Sequence, residues 1–370
     1  MPTRLKRSLD SLTIVGFKSI RELRDFPLTQ RNILIGANGA GKSNFVDFFR
    51  MLRALALDGL QAFVTQSGGG DGFFHEGPKV TSTIEATLKF ADSGFYFALQ
   101  PTATGELMVA EVGTLSALDD EWGIFLRGGH EASLKGWRHP RPRTNPKNWR
   151  QVNAYAAISS WVVYHFHDTS LTAPMRRDAE SADYRELAAD AGNLAPFLAH
   201  LRQQHPAIYQ RIRETIQIVA PYFDDFLLEP RTLGPREVLR LEWRQKASSF
   251  PFQPWQLSDG TLRFIALTTA LLQPDPPATI VIDEPELGLH PVALRVLAAL
   301  IHEVSASTQI VVSTQSPQLV DHFEPGDLVV VQRQAGATTL ERMDAADLER
   351  WLEDYTLGDL MEKNVIETNP

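Results

Sequence analysis

The 370-residue chain contains no cysteine. That excludes a disulfide framework, cysteine-ligated zinc, iron–sulfur clusters and a thiol nucleophile. Positive charge is not in excess: 36 Lys and Arg against 45 Asp and Glu give a formal net charge of -9. A general attraction to polyanions is thereby excluded, and any nucleic-acid contact needs a local patch. No apolar run approaches the roughly 20 residues that span a bilayer. The basic N-terminus lacks the apolar stretch of a signal peptide. A cytoplasmic protein without a membrane partner is the expectation. Heptad runs, internal repeats and long linkers are also lacking. Against these absences stands a hydrophobic fraction of 43%, enough to build a core and to exclude wholesale disorder.

Short β-rich runs at 12–17 and 32–35 precede a helix from Lys42 to about Leu57, whose apolar residues recur at helical spacing. Period-two alternation predicts an antiparallel meander over 80–112. Residues 161–166 read as a strand and 182–220 as two or three short helices. Strands are expected at 226–228 and 238–243, and a helix at 261–272. Buried-type strands at 279–282, 309–312 and 327–331 alternate with helices, which argues for a parallel α/β sheet. An acidic helical tail closes the chain.

Gly36-Ala37-Asn38-Gly39-Ala40-Gly41-Lys42-Ser43 fits G-x-x-x-x-G-K-[ST] between a strand and a helix. Glycines there let successive N–H groups aim at phosphate oxygens, and the helix N-terminus favours an anion. Lys42 is expected to reach the β- and γ-phosphates, and Ser43 to offer its hydroxyl to Mg²⁺. Asn44 follows on the same turn. A second element is the apolar strand that ends in Asp283-Glu284-Pro285-Glu286. Strand C-terminal ends are where ligands sit in open α/β sheets. Asp283 is expected in the Mg²⁺ shell, and Glu284 to orient or deprotonate a water.

Three further motifs follow in order with these: Leu257-Ser258-Asp259-Gly260 before a helix, Leu287-Gly288-Leu289-His290-Pro291, and Ser313-Thr314-Gln315-Ser316-Pro317. The set, with Phe17-Lys18-Ser19 near the start, resembles the ABC-type ATPase heads, among them SMC, RecF and OLD-like ATPases. Within that group the sequence is most similar to the small bacterial predicted ATPases of the AAA_21, OLD-like type. The resemblance implies an α/β P-loop NTPase fold of ABC/SMC-head type. A mixed β-sheet core would carry an antiparallel β subdomain and a helical insertion. It divides the chain into an N-terminal ATPase lobe (1–160), the insertion (161–235), a C-terminal lobe (236–340) and the tail (341–370).

The resemblance also implies ATP and Mg²⁺ as cofactors and a head-to-tail homodimer. Ser258 and Gly260 would then contact the γ-phosphate held by the partner. Gln315 occupies the position where many relatives carry histidine. A glutamine amide can hold water or a phosphate oxygen but cannot shuttle a proton. Asp259 also departs from the pattern, and its charge is unfavourable beside a phosphate unless it points away or meets an arginine. The family's glutamine loop has no clear counterpart. Its region falls at His167-Asp168, where His165 and His167 share a strand face without an evident third metal ligand.

Residues 135–150 reverse the overall charge. Lys135, Arg138, Arg141, Arg143, Lys147 and Arg150 accompany Trp137 and Trp149, and residues 132–167 contain no acid. Such a segment can contact DNA or RNA phosphates and stack on bases, or pair with the acidic tail. The expected function is an ATP-driven dimeric switch that engages nucleic acid or a separately encoded effector protein, with phage defence as the biology. A RecF-like DNA-repair clamp and a nucleotide-gated scaffold with little hydrolysis are the alternatives.

Overall fold

The computed structural model describes residues 8–91, 93–116, 121–138 and 148–366. Its centre is a six-stranded sheet in the order Ala337–Arg342, Leu328–Gln334, Arg31–Ile35, Gln309–Ser313, Thr279–Asp283, Val162–Tyr164. The last five run parallel and Ala337–Arg342 pairs antiparallel at the edge. Side chains alternate between its faces. Val163, Val281, Val311, Val329 and Val331 join one apolar cluster, while Tyr164, Ile280, Ile282, Val312 and Val330 join another. Parallel strands buried on both faces read as continuous apolar runs, which is why they were visible in sequence.

A second six-stranded sheet is wholly antiparallel. Beyond the predicted meander it takes in Ser11–Phe17 and Ile20–Pro27 at one end and Glu121–Arg127 at the other. The helix Lys42–Ala56 lies between this sheet and the central one. Its rings set the spacing: Phe48 meets Phe17 at 5.4 Å and Phe97 at 6.3 Å, and Phe49 meets Trp161 at 5.4 Å. Phe45, Phe48 and Phe49 are all fully buried. Truncating one to alanine costs about 3–5 kcal/mol. The opposite face of the central sheet carries the helices Leu194–Gln204, Pro206–Val219, Asp259–Leu272 and Pro291–Val304.

Residues 182–193 are not helical, against expectation. Asn193 gives the reason. Its buried amide accepts from Ala188 N at 2.8 Å and donates to the carbonyls of Asp183 and Glu186 at 3.1 and 2.8 Å. The side chain thus takes up main-chain groups that a helix would have paired. The strand Val162–Tyr164, grouped in sequence with the helical segment, is the edge of the central sheet. No helix among the described residues is long and apolar enough to cross a membrane.

Candidate active site

The phosphate loop connects Arg31–Ile35 to Lys42–Ala56, and its glycines have different reasons to be there. Gly41 has φ +112°, and a Cβ would stand 2.0 Å from Thr338 Oγ1. Gly36 faces the Val331 carbonyl so closely that a Cβ would sit 2.2 Å from it. Gly39 has open space around it, so only its φ of +81° asks for glycine. The loop is buttressed from beneath. Thr338 Oγ1 lies 2.8 Å from Ala40 O and 2.7 Å from Ser19 Oγ. Asn44 Nδ2 donates to Ser19 Oγ at 2.6 Å. Ser19, the end of the opening motif, therefore supports the loop from a neighbouring sheet.

The helix Lys42–Ala56 begins at Gly41 with no side-chain cap and no acid in its first turn. Its first N–H groups have no intrahelical partner. Ser43 is exposed on that turn. Lys42 folds back onto the loop, donating to the carbonyls of Gly36 and, at 3.0 Å, Ala37. Burial lowers its pKa from the ordinary lysine value, opposed by Glu284, Glu286 and Asp283. Lys42 and the acids after Thr279–Asp283 thus share one field.

The strands Thr279–Asp283 and Gln309–Ser313 run parallel in register, with Asp283 opposite Ser313. Their ends carry Glu284 and Gln315 to the same edge. Glu284 has φ +43°, a sparsely populated conformation for a residue with a side chain. Its N–H bonds Ser313 O at 2.8 Å, which holds it there. Gln315 Nε2 donates to Glu284 Oε1 at 2.7 Å. Gln315 N donates to Glu286 Oε1 at 2.8 Å. Burial pushes the Glu286 carboxyl up, against the Gln315 N–H and with the nearby Glu284.

Asp283 is 6% exposed. Burial pushes its carboxyl up, but His165, Arg50 and His167 outweigh this and hold it below the usual carboxylate value. His165 Nδ1 lies 3.4 Å and Arg50 Nη2 3.7 Å from its Oδ2. Its Oδ1 is buried and has no hydrogen-bond partner among the described residues. The two groups expected from the sequence to hold a Mg²⁺ ion, the Ser43 hydroxyl and the Asp283 carboxylate, both offer oxygen, the donor that ion requires.

The motif Leu257-Ser258-Asp259-Gly260, the signature segment of the ABC-type resemblance, lies elsewhere. Ser258 caps Asp259–Leu272, its Oγ accepting from Thr261 N at 3.1 Å. Gly260 is needed within its own chain, because a Cβ would stand 2.1 Å from Gly288 O. Asp259 does meet an arginine, Arg176, at 2.7 Å. Among the described residues, no hydrogen bond or ion pair joins 258–261 to the phosphate loop.

Sequence reasoning missed several members of this neighbourhood. Arg50 was findable: Ser43, Asp47 and Arg50 stand at i, i+4 and i+7 on one helix face. Arg263 Nε donates to Phe166 O at 2.8 Å and its Nη2 to His167 O at 3.2 Å, tying the signature helix to the histidine strand end. The third group beside His165 and His167 is Asp283, which no local pattern announces. Of the basic residues, Lys135 is exposed in the turn Leu134–Arg138, and Arg150 belongs to the helix Asn148–Ser160. Arg141, Arg143 and Lys147 lie outside the described residues.

Known proteins agree with this architecture. The AAA_21 family model, described as "AAA domain, putative AbiEii toxin, Type IV TA system", matches residues 31–103 and 125–321. No curated protein matches the chain. Among solved structures, an Smc head bound to the C-winged helix domain of ScpA is similar at 15% identity and a TM-score of 0.52. That match covers 92% of this chain and 99% of that one. The Pyrococcus furiosus Smc head domain with an extended coiled coil, bound to the C-terminal domain of ScpA, gives 14% identity and 0.55. It covers 94% of this chain and 99% of that one. At such identities these neighbours speak for the fold: a P-loop NTPase of the SMC-head type. The family match runs from the strand before the phosphate loop past Gln315, and the chain belongs to the AAA_21 family of ATPase domains.

Proposed function

We propose that the protein binds and hydrolyses ATP with Mg²⁺, and that two copies join head to tail to complete each site. The observation that carries this reading is a convergence. Three adjacent parallel strands, Arg31–Ile35, Gln309–Ser313 and Thr279–Asp283, deliver the phosphate loop, Gln315 and Asp283-Glu284 to one sheet edge. That edge is where nucleotides bind in such sheets.

In this reading the loop residues Gly36, Asn38, Gly39, Ala40, Gly41, Lys42, Ser43 and Asn44 cradle the phosphates. Ser43 and Asp283 hold the Mg²⁺ ion, which would offset phosphate charge when bound. Glu284 orients or deprotonates the attacking water. Gln315, donating to Glu284 Oε1, fixes the direction of that carboxylate. Ser258 and Gly260 stand apart from the loop of their own chain, which supports their use by a second copy. The family description includes a toxin–antitoxin system, and this fits a switch acting through a separately encoded effector, as in phage defence.

The test is ATP turnover and solution mass of wild type and Glu284→Gln. Loss of a general base lowers turnover about 10²-fold or more. The variant is expected to keep ATP binding and to be trapped as a dimer. Unchanged turnover, or a monomer at saturating ATP, would sink the composite-site reading. One observation favours a second reading: the Gln315 bond occupies a Glu284 oxygen that a water would otherwise use. A wild type that binds ATP without turnover would establish this nucleotide-gated scaffold instead.

A further inference from the structure

The end of the strand Val162–Tyr164 brings two imidazoles against Asp283. One ring nitrogen of His165, one of His167 and a carboxylate oxygen of Asp283 all lie within 4.8 Å of one another. The two rings stand 3.8 Å apart between centroids. Tyr164 pairs with Ile282, so the next residues, His165 and Asp283, leave their strands side by side. His167 Nε2 lies 3.0 Å from the Asp283 carbonyl, which fixes the second ring.

Two imidazoles and one carboxylate are not a magnesium set. Nitrogen donors suit the transition divalents, and a two-histidine, one-carboxylate group leaves coordination positions open. A second observation points the same way. Asp283 is nine-tenths buried, and its Oδ1 has no hydrogen-bond partner among the described residues. Its other oxygen already faces Arg50 and His165. A buried carboxylate oxygen without a partner is costly unless something meets it. Arg50, at 3.7 Å, is the fixed positive charge that an ion here must share Asp283 with.

We propose that His165, His167 and Asp283 form a binding site for a transition-metal divalent cation, of the Mn²⁺, Co²⁺ or Zn²⁺ class. The site shares Asp283 with the oxygen set proposed for Mg²⁺, so the two are alternative occupancies of one carboxylate. Its open positions would take water or a phosphate oxygen. The ion needs no nucleotide to bind.

The experiment is a Co²⁺ titration of tag-free, nucleotide-free protein, read by ligand-field absorption and by dialysis stoichiometry. One Co²⁺ per chain is expected, with nitrogen among the ligands. Losing even an outer partner of a metal ligand costs 10–100-fold in affinity. His165→Ala should therefore weaken binding at least about tenfold. The His165 side chain is 44% exposed, so its removal spares the core. Should that variant not fold, His165→Gln and the wild-type imidazole NMR signals, two of which Mn²⁺ should broaden, carry the same test. No stoichiometric Co²⁺, equal affinity in a folded His165 variant, or displacement by equimolar Mg²⁺ would overturn the assignment. The assay contains no ATP, so its failure leaves the hydrolytic reading untouched, and the reverse holds.

Discussion

Arg176 donates from Nη2 to Asp259 Oδ1 at 2.7 Å, joining the signature motif to a turn 83 residues earlier. The arginine is buried, and the same guanidinium donates to the carbonyls of Thr169, Pro254 and Leu257. Asp259 itself is 64% exposed, so the ion pair alone is worth little. The carbonyls matter more, because buried acceptors left unpaired cost about 1–3 kcal/mol. Arg176→Ala should therefore lose about 2–3 kcal/mol in urea unfolding. Asp259→Asn should lose under about 1 kcal/mol. Equal losses would show that the ion pair, not the carbonyl set, holds the segment.

The three tight glycines and the open one make a second comparison. Gly39→Ala meets no atom of the described residues and costs only its positive φ, about 1 kcal/mol. Gly41→Ala adds a collision with Thr338 at 2.0 Å, and Gly260→Ala one with Gly288 O at 2.1 Å. Each should cost about 3 kcal/mol. Thermal unfolding beside ATP-binding isotherms separates the effects. Gly41→Ala is expected to lose binding, and Gly260→Ala to keep it while losing turnover. A Gly41→Ala chain with native affinity would remove the buttress argument.

Glu286 supplies a pH dependence. Its folded pKa is raised above 4.5, chiefly by burial. The unfolded carboxyl thus ionises first as pH rises, and each step in that window favours unfolding. The stability contribution is complete below the ordinary value and lost as pH climbs through the raised one. Glu286→Gln has no such group. Urea midpoints of the two chains should diverge in favour of the E286Q chain as pH rises from the ordinary carboxylate value through the raised one. A constant difference across that range would contradict it.

The basic segment gives a fourth expectation. Replacing Lys135, Arg138, Arg141, Arg143, Lys147 and Arg150 by Gln should abolish any stimulation of ATP turnover by duplex DNA while basal turnover stays. If these side chains neutralise phosphates, the log–log salt slope of DNA binding should fall by about 0.9 per lost contact. Fluorescence anisotropy over a salt series reads this directly. DNA binding with the same slope in the substituted chain would assign the segment another role.

Much of the candidate site was legible in one dimension because its motifs are contiguous. A phosphate loop is a run of backbone conformations, and glycine, lysine and serine encode those conformations at adjacent positions. The apolar strand before Asp283-Glu284 was legible for the same reason, since burial on both faces writes itself as an unbroken apolar run. The false reading at 182–193 came from a local propensity that the buried Asn193 overrides with its own hydrogen bonds.

What the tertiary structure alone decided are the partners of those motifs. Ser19 meets Thr338 across 319 residues, and Arg176 meets Asp259 across 83. His165 and His167 find Asp283 only because Val162–Tyr164 pairs with Thr279–Asp283 in one register. Such pairs depend on strand order, and strand order follows from how two cores close around one helix. The sequence by itself determined the local chemistry at the strand ends. Packing determined which of those ends face one another, because no local residue pattern specifies a contact that distant chain segments make only when both cores are formed.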